Sequence, residues 1–454
     1  KQEKLMKYFG TDGIRGKYGD FEVSEPFYEG LGEACADALS EKCGGGLVVV
    51  GCDTRASSES LKESFCRGLE RRGIKFEDMG VLPTPSLAYA VLKRGAKLGA
   101  MITASHNPYT DNGIKFFDSN ARKVDDAFQL DIERRVDSMN IDFKSYTKKE
   151  FSPRAIKAGK FALEEYAQKM GSLFEPGFLE GYTVAIDMAN GATSEVSSKV
   201  FEGYGAKVVK AAFSPDGFNI NASVGSQFPE NIVGVCRQSG ADVGFAHDGD
   251  GDRVVVCDDK FSILEGEEVL GLIAMEHKSR GALSSNAIVT TLQSNTGLDE
   301  SLAANGIKVY RCGIGDRLVM REMLERNCNV GGENSGHFIF SEISPCGDGL
   351  AAALAVLYVM AKQHRKLSEL RGGIAMYPCI SKSVEVARKT PVNEAPNLSK
   401  AVEKCGELLG GKGRILVRYS GTEKKIRLLA ESPELEKAKK CISFLLEAVE
   451  IDLK

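Results

Sequence analysis

Short runs of apolar, β-branched residues recur along nearly the whole chain, and many are separated by stretches with helical spacing. "GLVVVGCD" (46–53), "LGAMITAS" (98–105), "YTVAIDMANGA" (182–192), "DVGFAHDGDGDR" (242–253), "NAIVTTL" (286–292), "IKVYRC" (307–312) and "RILVRYSG" (414–421) read as strands. "SESLKESFCRGLERRG" (58–73) reads as a helix, with Leu61, Phe65 and Leu69 on one stripe. "LEEYAQKMGSLF" (163–174) and "GLAAALAVLYVMAKQH" (349–364) read likewise. Strands alternating with helices demand an α/β fold with largely parallel sheets. The runs are apolar throughout rather than alternating, as for strands covered on both faces. The pattern of strand, Gly-containing loop and helix occupies 1–155, 156–258 and 259–369. The last segment, 370–454, differs: strands near 383–387, 414–418 and 426–430, helices near 398–409 and 434–448. The expected architecture is therefore α/β: three similar mixed-sheet α/β domains plus a C-terminal α+β domain. Linkers are expected at 144–159 and 371–378.

With 454 residues, several cores can form. A net charge of −4 gives no global attraction to nucleic acid or to an acidic membrane, so an anion must be held by a local cationic site. The twelve cysteines include no C-x-x-C pair and lie singly in apolar or helical runs, as buried thiols of a reducing cytoplasm do. No run approaches a membrane span, and "KQEKLMKYFG" has no signal-peptide core. The chain opens on Lys, and its first few residues are left out of the fold reading.

In open α/β sheets, ligands bind beyond the carboxyl ends of strands. The loops after the runs ending at Ser105, His247 and Val417 are therefore the ones to read. "HDGDGDR" places Asp248, Asp250 and Asp252 two residues apart, with Arg253 next. Three close carboxylates repel unless a hard divalent cation joins them. An EF-hand would need Gly and Glu where Arg253 and Asp259 stand. Mg²⁺ suits such a loop, since it keeps coordination positions open for phosphate oxygens. His247 adjoins this loop as a first or outer ligand, whereas His277 and His364 read as surface or packing residues. "TASHNPYTDNGIKFF" ends an apolar run on Ser105, and "DNG" (111–113) reads as a tight turn that returns Lys115 toward Ser105. Neighbouring side chains diverge, so a Ser105–His106 dyad is not expected. A phosphoryl ester on Ser105, carrying about −1.5 to −2 charge, would suit the aspartate-held cation. The bland reading of Lys115 is a solvated strand lysine.

"GGENSGH" holds Glu333, Ser335 and His337 at alternate positions. If extended, these share one face and can meet a polyhydroxylated ligand; the alternative is a Gly-rich connection. "RYSGTE" offers Arg418, Ser420, the Gly421 amide and Thr422 as an anion nest; the alternative is an ordinary hairpin. "GTDGIRG" places Arg15 in a glycine-rich frame suited to phosphate. "GELLGGKG" has Gly413 where a Walker loop needs Ser or Thr.

Taken in order, "TASHNP", "DGDGDR", "GGENSGH" and "RYSGTE" resemble the motifs of the α-D-phosphohexomutase superfamily, over the chain from about Tyr8 to its end. Through "YFGTDGIRG", "DNGIKFF", "GIGDR", "PDGFNIN" and "RYSGTE" the chain most resembles the bacterial phosphoglucosamine mutases. Three positions depart from the usual pattern: Thr103 opens the serine motif, "GSQFPE" (225–230) stands for "GSTHPE", and Lys424 replaces a frequent Pro. None removes a catalytic group. The resemblance implies four domains around a central cleft, with Ser105 as the phosphoserine. It implies Mg²⁺ on Asp248, Asp250 and Asp252, joined by Ser105. Arg253 and Lys115 then lie at the transferring phosphoryl group and Arg15 at the phosphoserine. Glu333 and Ser335 would read sugar hydroxyls with His337 nearby, and Arg418, Ser420, Gly421 and Thr422 would clamp the distal phosphate. Lys115 and His337 both stand as candidates for the proton acceptor. The implied enzyme is a cytoplasmic isomerase that interconverts glucosamine 6-phosphate and glucosamine 1-phosphate toward UDP-N-acetylglucosamine. Glucosamine or glucose 1,6-bisphosphate would be its intermediate and activator. A glucose or mannose phosphate mutase is the alternative within the superfamily. A metal-dependent sugar phosphatase and a noncatalytic sensor are the alternatives outside it. Oligomeric state is not legible, with a homodimer the assembly kept in view.

Overall fold

A computed structural model describes residues 6–139, 141, 156–420 and 424–454. It divides into two compact units, Lys1–Leu292 with Tyr310–Arg371, and Gln293–Val309 with Gly372–Lys454. The second passage between them falls at the start of the linker expected at 371–378. Of the linker expected at 144–159, residues 144–155 lie outside the described residues.

Three mixed sheets carry the first part of the chain. The first contains β1 (Ile14–Lys17), β2 (Val48–Cys52), β3 (Phe76–Val81), β4 (Leu98–Ile102), β5 (Asp111–Asp118) and β6 (Ile156–Lys157), in the order β1-β5-β4-β2-β3-β6. The second contains β7 (Thr183–Asp187), β8 (Lys207–Ala211), β9 (Val243–His247), β10 (Val254–Cys257) and β11 (Ile263–Leu264), in the order β11-β10-β9-β7-β8. The third contains β12 (Ala287–Thr291), β13 (Lys308–Cys312), β14 (Val330–Gly332) and β15 (Phe338–Phe340), in the order β13-β12-β14-β15. The second unit has a three-stranded antiparallel sheet of β16 (Cys379–Glu385), β17 (Arg414–Tyr419) and β18 (Lys425–Glu431), with β18 central. Helices Pro396–Leu409 and Leu435–Leu453 supply buried apolar residues to the core of this unit. The fold class expected from the alternating runs is the one observed.

Each mixed sheet repeats one device. Parallel strands fill its middle, and the last of them pairs antiparallel with the strand that follows. β4 is parallel to β2 and antiparallel to β5. β9 is parallel to β7 and antiparallel to β10. β14 is parallel to β12 and antiparallel to β15. The loops with Ser105, with Asp248 to Asp252, and with Glu333 to His337 are the three hairpin connections so formed. The inner parallel strands β2, β4, β9 and β12 are buried at every residue, which explains their apolar sequence.

One expected turn is absent. Asp111-Asn112-Gly113 is the start of β5, and the chain reverses over residues 103–110. The reason lies in β1, which runs antiparallel to β5 with Arg15 opposite Gly113. A Cβ on Gly113 would stand 2.4 Å from the Ile14 carbonyl oxygen, so this glycine serves close strand approach, not a turn. Asn112 donates from its amide to Ser57 and Ser58 at 2.8 and 3.1 Å. Lys115 still returns beside β4, opposite Met101.

The helix Ser58–Arg71 buries Leu61, Phe65 and Leu69, as their spacing requires. The helix Gly349–Gln363 is buried nearly all round. Among the described residues, no helix is long and apolar enough to cross a membrane. Asp348 caps that helix by accepting from the Ala351 N–H at 2.9 Å, and Tyr166 donates to the same carboxyl oxygen at 2.8 Å.

Burial pushes the Asp348 carboxyl up to about 6, against bonds from Ala351 and Tyr166 that pull it down. Between its ordinary value and about 6 the folded chain binds more protons here than the unfolded chain. This group therefore favours the fold most at low pH, and that support is lost as pH rises through 6. Asp348→Asn keeps the acceptor and removes the buried charge. It is expected to raise the melting temperature at pH 8, by the equivalent of about 2–3 kcal/mol, and the gap should narrow at pH 5. A gap that widens toward pH 5 contradicts this account.

Candidate active site

Ser105 is fully buried and has φ 54°, a conformation uncommon for a residue with a Cβ. Its surroundings hold it there. Ser105 N–H donates to Thr103 Oγ1 at 2.8 Å, and that hydroxyl donates to Asp53 at 2.7 Å. Thr103 thus does the work a serine hydroxyl would do at the same place. Arg55, buried at the end of β2, donates to the carbonyls of Ser105, Asn107 and Asp111 at 2.9, 2.8 and 3.0 Å, and to that of Pro108. Asn221 donates to the Ser105 and Asn107 carbonyls at 2.8 and 3.0 Å. The strain of order 1–3 kcal/mol is thereby over-determined. The Ser105 hydroxyl donates to Asp248 Oδ2 at 2.6 Å. His106 does not diverge as adjacency suggested: its Nδ1 lies 3.4 Å from Ser105 Oγ, because the left-handed turn brings the two side chains together. Burial, with Arg253 and Arg15 nearby, pushes this imidazole down to about 4.

The aspartate loop comes up against the serine loop so closely that a Cβ on Gly249 would lie 2.7 Å from the Ser105 carbonyl oxygen. Asp248, Asp250 and Asp252 are buried, with one carboxylate oxygen of each within 4.8 Å of the others. Asp250 Oδ1 and Asp252 Oδ1 accept no hydrogen bond among the described residues. Three converging carboxylates with orphaned buried oxygens fit a hard divalent cation, so the residues present suit Mg²⁺ chemistry. Burial, reinforced by Asp252 and Asp250, pushes the Asp248 carboxyl well above the usual range. Burial would raise Asp252 too, but Lys115, His337 and Arg253 outweigh it and hold that carboxyl low. His247 is not a ligand here. Its Nε2 meets Ser197 Oγ at 3.1 Å and its Nδ1 meets the Arg253 carbonyl at 3.1 Å, so both nitrogens brace the loop. His277 is a packing residue, stacked on Phe340.

Lys115 is no solvated strand lysine. It is 1% exposed, and its ammonium lies 2.9, 2.8 and 3.3 Å from Asp250, Asp252 and Asp12. Burial opposes its charge, yet those carboxylates raise it well above the ordinary lysine value. Arg15, on β1, pairs with Asp12. The Arg253 N–H donates to Asp248 Oδ1 at 3.2 Å, and its guanidinium stands 3.9 Å from Asp252.

The segment 333–337 is not extended. It is the turn between β14 and β15, closed by the Glu333 N–H donating to the His337 carbonyl at 2.9 Å. Glu333, Ser335 and His337 therefore do not share a face as alternate spacing suggested: the outer two are buried and Ser335 is exposed. The reason is Gly336, whose φ of 86° turns the chain while its carbonyl accepts from Val254 N–H at 3.0 Å, docking this loop on the strand after the aspartates. Glu333 accepts from the Gly315 N–H at 2.9 Å. His337 lies 3.8 Å from Asp252 and 3.3 Å from Asp316. Ser105, Asp248, Asp250, Asp252, Lys115, Arg253 and Arg15 are thus joined in one network, and His337 reaches it through Asp252.

In the second unit, Arg418 lies on β17 opposite Arg427. Burial and that neighbouring cation lower its guanidinium value. The Ser420 N–H donates to the Lys425 carbonyl at 2.8 Å, and Lys389 donates to the Ser420 carbonyl at 2.6 Å. Gly421 and Thr422 lie outside the described residues.

Sequence reasoning passed over several groups. Asp12 and Asp316 stand inside "GTDGIRG" and "GIGDR", and Asn221 inside "PDGFNIN". The motifs were read, but these side chains were not. Lys123 joins Asp12 to Asp316, at 2.6 Å from the latter, and carries no motif of its own. Thr84 donates to Asp250 Oδ2. Arg55 follows β2 at a strand's carboxyl end, the place the loop rule would have searched.

Four family models match the chain: phosphoglucomutase/phosphomannomutase α/β/α domain I over residues 6–141, domain II over 164–262, domain III over 265–377, and the C-terminal domain over 382–448. The phosphoglucosamine mutase of Anaeromyxobacter dehalogenans is 38% identical, over 95% of this chain and 96% of that one. That of Carboxydothermus hydrogenoformans is 38% identical, over 98% of this chain and 100% of that one. Among solved structures, a phosphoglucomutase/phosphomannomutase family protein from Burkholderia thailandensis matches with a TM-score of 0.80 at 21% identity, over 98% of this chain and 97% of that one. N-acetylphosphoglucosamine mutase of Aspergillus fumigatus, solved with GlcNAc-6P and magnesium, matches at 0.65 and 17%, over 98% and 96%. These structural likenesses speak to the fold.

The Arg55 fork makes a concrete test. Removing it leaves several loop carbonyls without their donor, at a cost of about 3–5 kcal/mol for a buried charge network. Arg55→Met should lower the melting temperature and abolish turnover. Arg55→Lys should rescue stability in part and turnover little, because an ammonium cannot span four carbonyls in a plane. Full activity in Arg55→Lys would remove the fork from the account of Ser105.

Proposed function

We propose, because the chain belongs to the phosphoglucomutase/phosphomannomutase family and within it to the phosphoglucosamine mutases, that it interconverts glucosamine 6-phosphate and glucosamine 1-phosphate through a phosphoserine and a sugar 1,6-bisphosphate. The observation that carries this reading is the Ser105 hydroxyl, strained into place and donating to Asp248 inside a buried carboxylate triad flanked by Lys115, Arg253 and Arg15. The serine hydroxyl donates to the carboxylate triad at 2.6 Å, a shorter contact than the 3.4 Å to His106 Nδ1.

Phospho-Ser105 gives its phosphoryl group to the C1 hydroxyl of glucosamine 6-phosphate. The O1–P bond forms as the Oγ–P bond breaks, and the hydroxyl proton leaves to a base. Lys115 and His337 both stand as that base, each facing carboxylates that favour its charged form. The bisphosphate turns over and returns its 6-phosphoryl group to Ser105, and glucosamine 1-phosphate leaves. Mg²⁺ on Asp248, Asp250, Asp252 and the Ser105 phosphoryl oxygen would neutralise charge on the transferring group. Arg253 and Lys115 stabilise its equatorial oxygens and Arg15 holds the phosphoserine. Glu333 and Ser335 meet sugar hydroxyls, and Arg418, Ser420, Gly421 and Thr422 clamp whichever phosphate is distal. The segments 1–155, 156–258, 259–369 and 370–454 each serve as one domain of this machine, in the cytoplasm. An A. fumigatus N-acetylphosphoglucosamine mutase variant solved with glucose 1,6-bisphosphate supports the bisphosphate step by analogy.

The test is ³¹P NMR of the Mg²⁺-loaded protein primed with a trace of glucose 1,6-bisphosphate. Glucosamine 6-phosphate should convert to its 1-phosphate faster than glucose or mannose 6-phosphate does to theirs, with little free phosphate. Ser105→Ala should lose turnover by at least three orders of magnitude. Free phosphate as the main product would make the protein a phosphatase, and near-normal turnover in Ser105→Ala would remove the phosphoserine.

A further inference from the structure

A cavity of about 530 Å³ opens among the end of the helix Glu25–Cys43, the start of β4, the loop after β5 and the helix Asp316–Glu325. Its walls are mainly apolar: Leu98, Val124, Phe128, Leu318, Met320 and Leu324. None of the residues assigned above to phosphoryl transfer lines it. Lys123 and Asp316 do, and they are already paired with each other. Arg317, also in the wall, is paired with Asp126 at 2.6 Å. Arg122 differs. Among the described residues its guanidinium takes part in no hydrogen bond or ion pair, and its Nε is buried without a partner. Lys97 and Lys42 also line it, with the Lys42 ammonium 5.1 Å from the Phe128 ring centroid, as do the carboxylates of Asp118 and Asp125, which accept from the backbone N–H groups of Arg122 and Phe128 at 3.0 and 2.8 Å.

An apolar chamber of this size takes a small organic molecule, and a half-buried guanidinium whose Nε is buried and unpaired offers its wall a place for an anion. We propose that the cavity is a second ligand site, bordering the phosphoryl-transfer site at Lys123 and Asp316, for a small amphiphilic anion. Its ligand has an aromatic or hydrocarbon body lying on Leu98, Phe128 and Met320. A single carboxylate, sulfonate or phosphate head meets Arg122 in a planar, two-bond contact. A sugar phosphate does not qualify, because its hydroxyls would face unpaired apolar walls.

The probe is 8-anilinonaphthalene-1-sulfonate, followed by fluorescence on the full chain at neutral pH. We expect saturable binding of one molecule per chain that excess glucosamine 6-phosphate leaves in place. Arg122→Gln should weaken it at least tenfold, with turnover and melting temperature kept. Leu324→Glu, at a half-exposed position of the wall, should weaken it similarly by setting a like charge against the head. No saturable binding, displacement of the probe by the sugar phosphate, or wild-type affinity in Arg122→Gln would each overturn the proposal. None of these outcomes bears on whether Ser105 carries the phosphoryl group.

Discussion

The structure turns on one buried set of charges. Asp12, Asp248, Asp250, Asp252 and Asp316 are faced by Lys115, Lys123, Arg15, Arg253 and His337. All three mixed sheets contribute to it, and each brings both signs. Lys115, Lys123, Arg15 and Asp12 come from the first sheet and its flanks, the aspartate triad and Arg253 from the loop between β9 and β10, and Asp316 and His337 from around the third sheet. Isolated, each group would be costly to bury; together they compensate one another. Folding three sheets around one point is therefore also the act of satisfying these charges.

Each sheet solves the problem of presenting a loop in the same way. A parallel strand emerges from the covered middle of the sheet, and the next strand folds back along it. The connection is left at the carboxyl end, clear of the helices on either face. The strand hydrogen bonds on both sides fix where the loop begins and ends. A residue such as Ser105 can then be held in an unfavourable backbone conformation by Thr103, Arg55 and Asn221 without loosening the sheet.

Much of this was legible in the residues. Apolar runs located the strands, because parallel strands buried on both faces leave no room for alternation. The Asp248-Asp250-Asp252 spacing announced a cation site, because carboxylates so close have few other uses. Local rules failed where a partner distant in sequence decided the outcome. "DNG" reads as a turn in isolation, yet β1 arrives from about a hundred residues upstream and makes it a strand. "GGENSGH" alternates like a strand, yet Val254 holds it as a turn. Asp12, Lys123 and Asp316 look like ordinary surface charges in sequence. Only their mutual approach, across 111 and 193 residues, marks them as part of the site.

Lys115 gives the carboxylate loop an internal counterion. A divalent ion entering the loop meets carboxylates already in contact with an ammonium, so its affinity is the difference between two attractions, not the whole of one. Assembly of the scaffold should correspondingly depend little on metal supply, with loading left to a later step that a chelator would reverse without unfolding the chain.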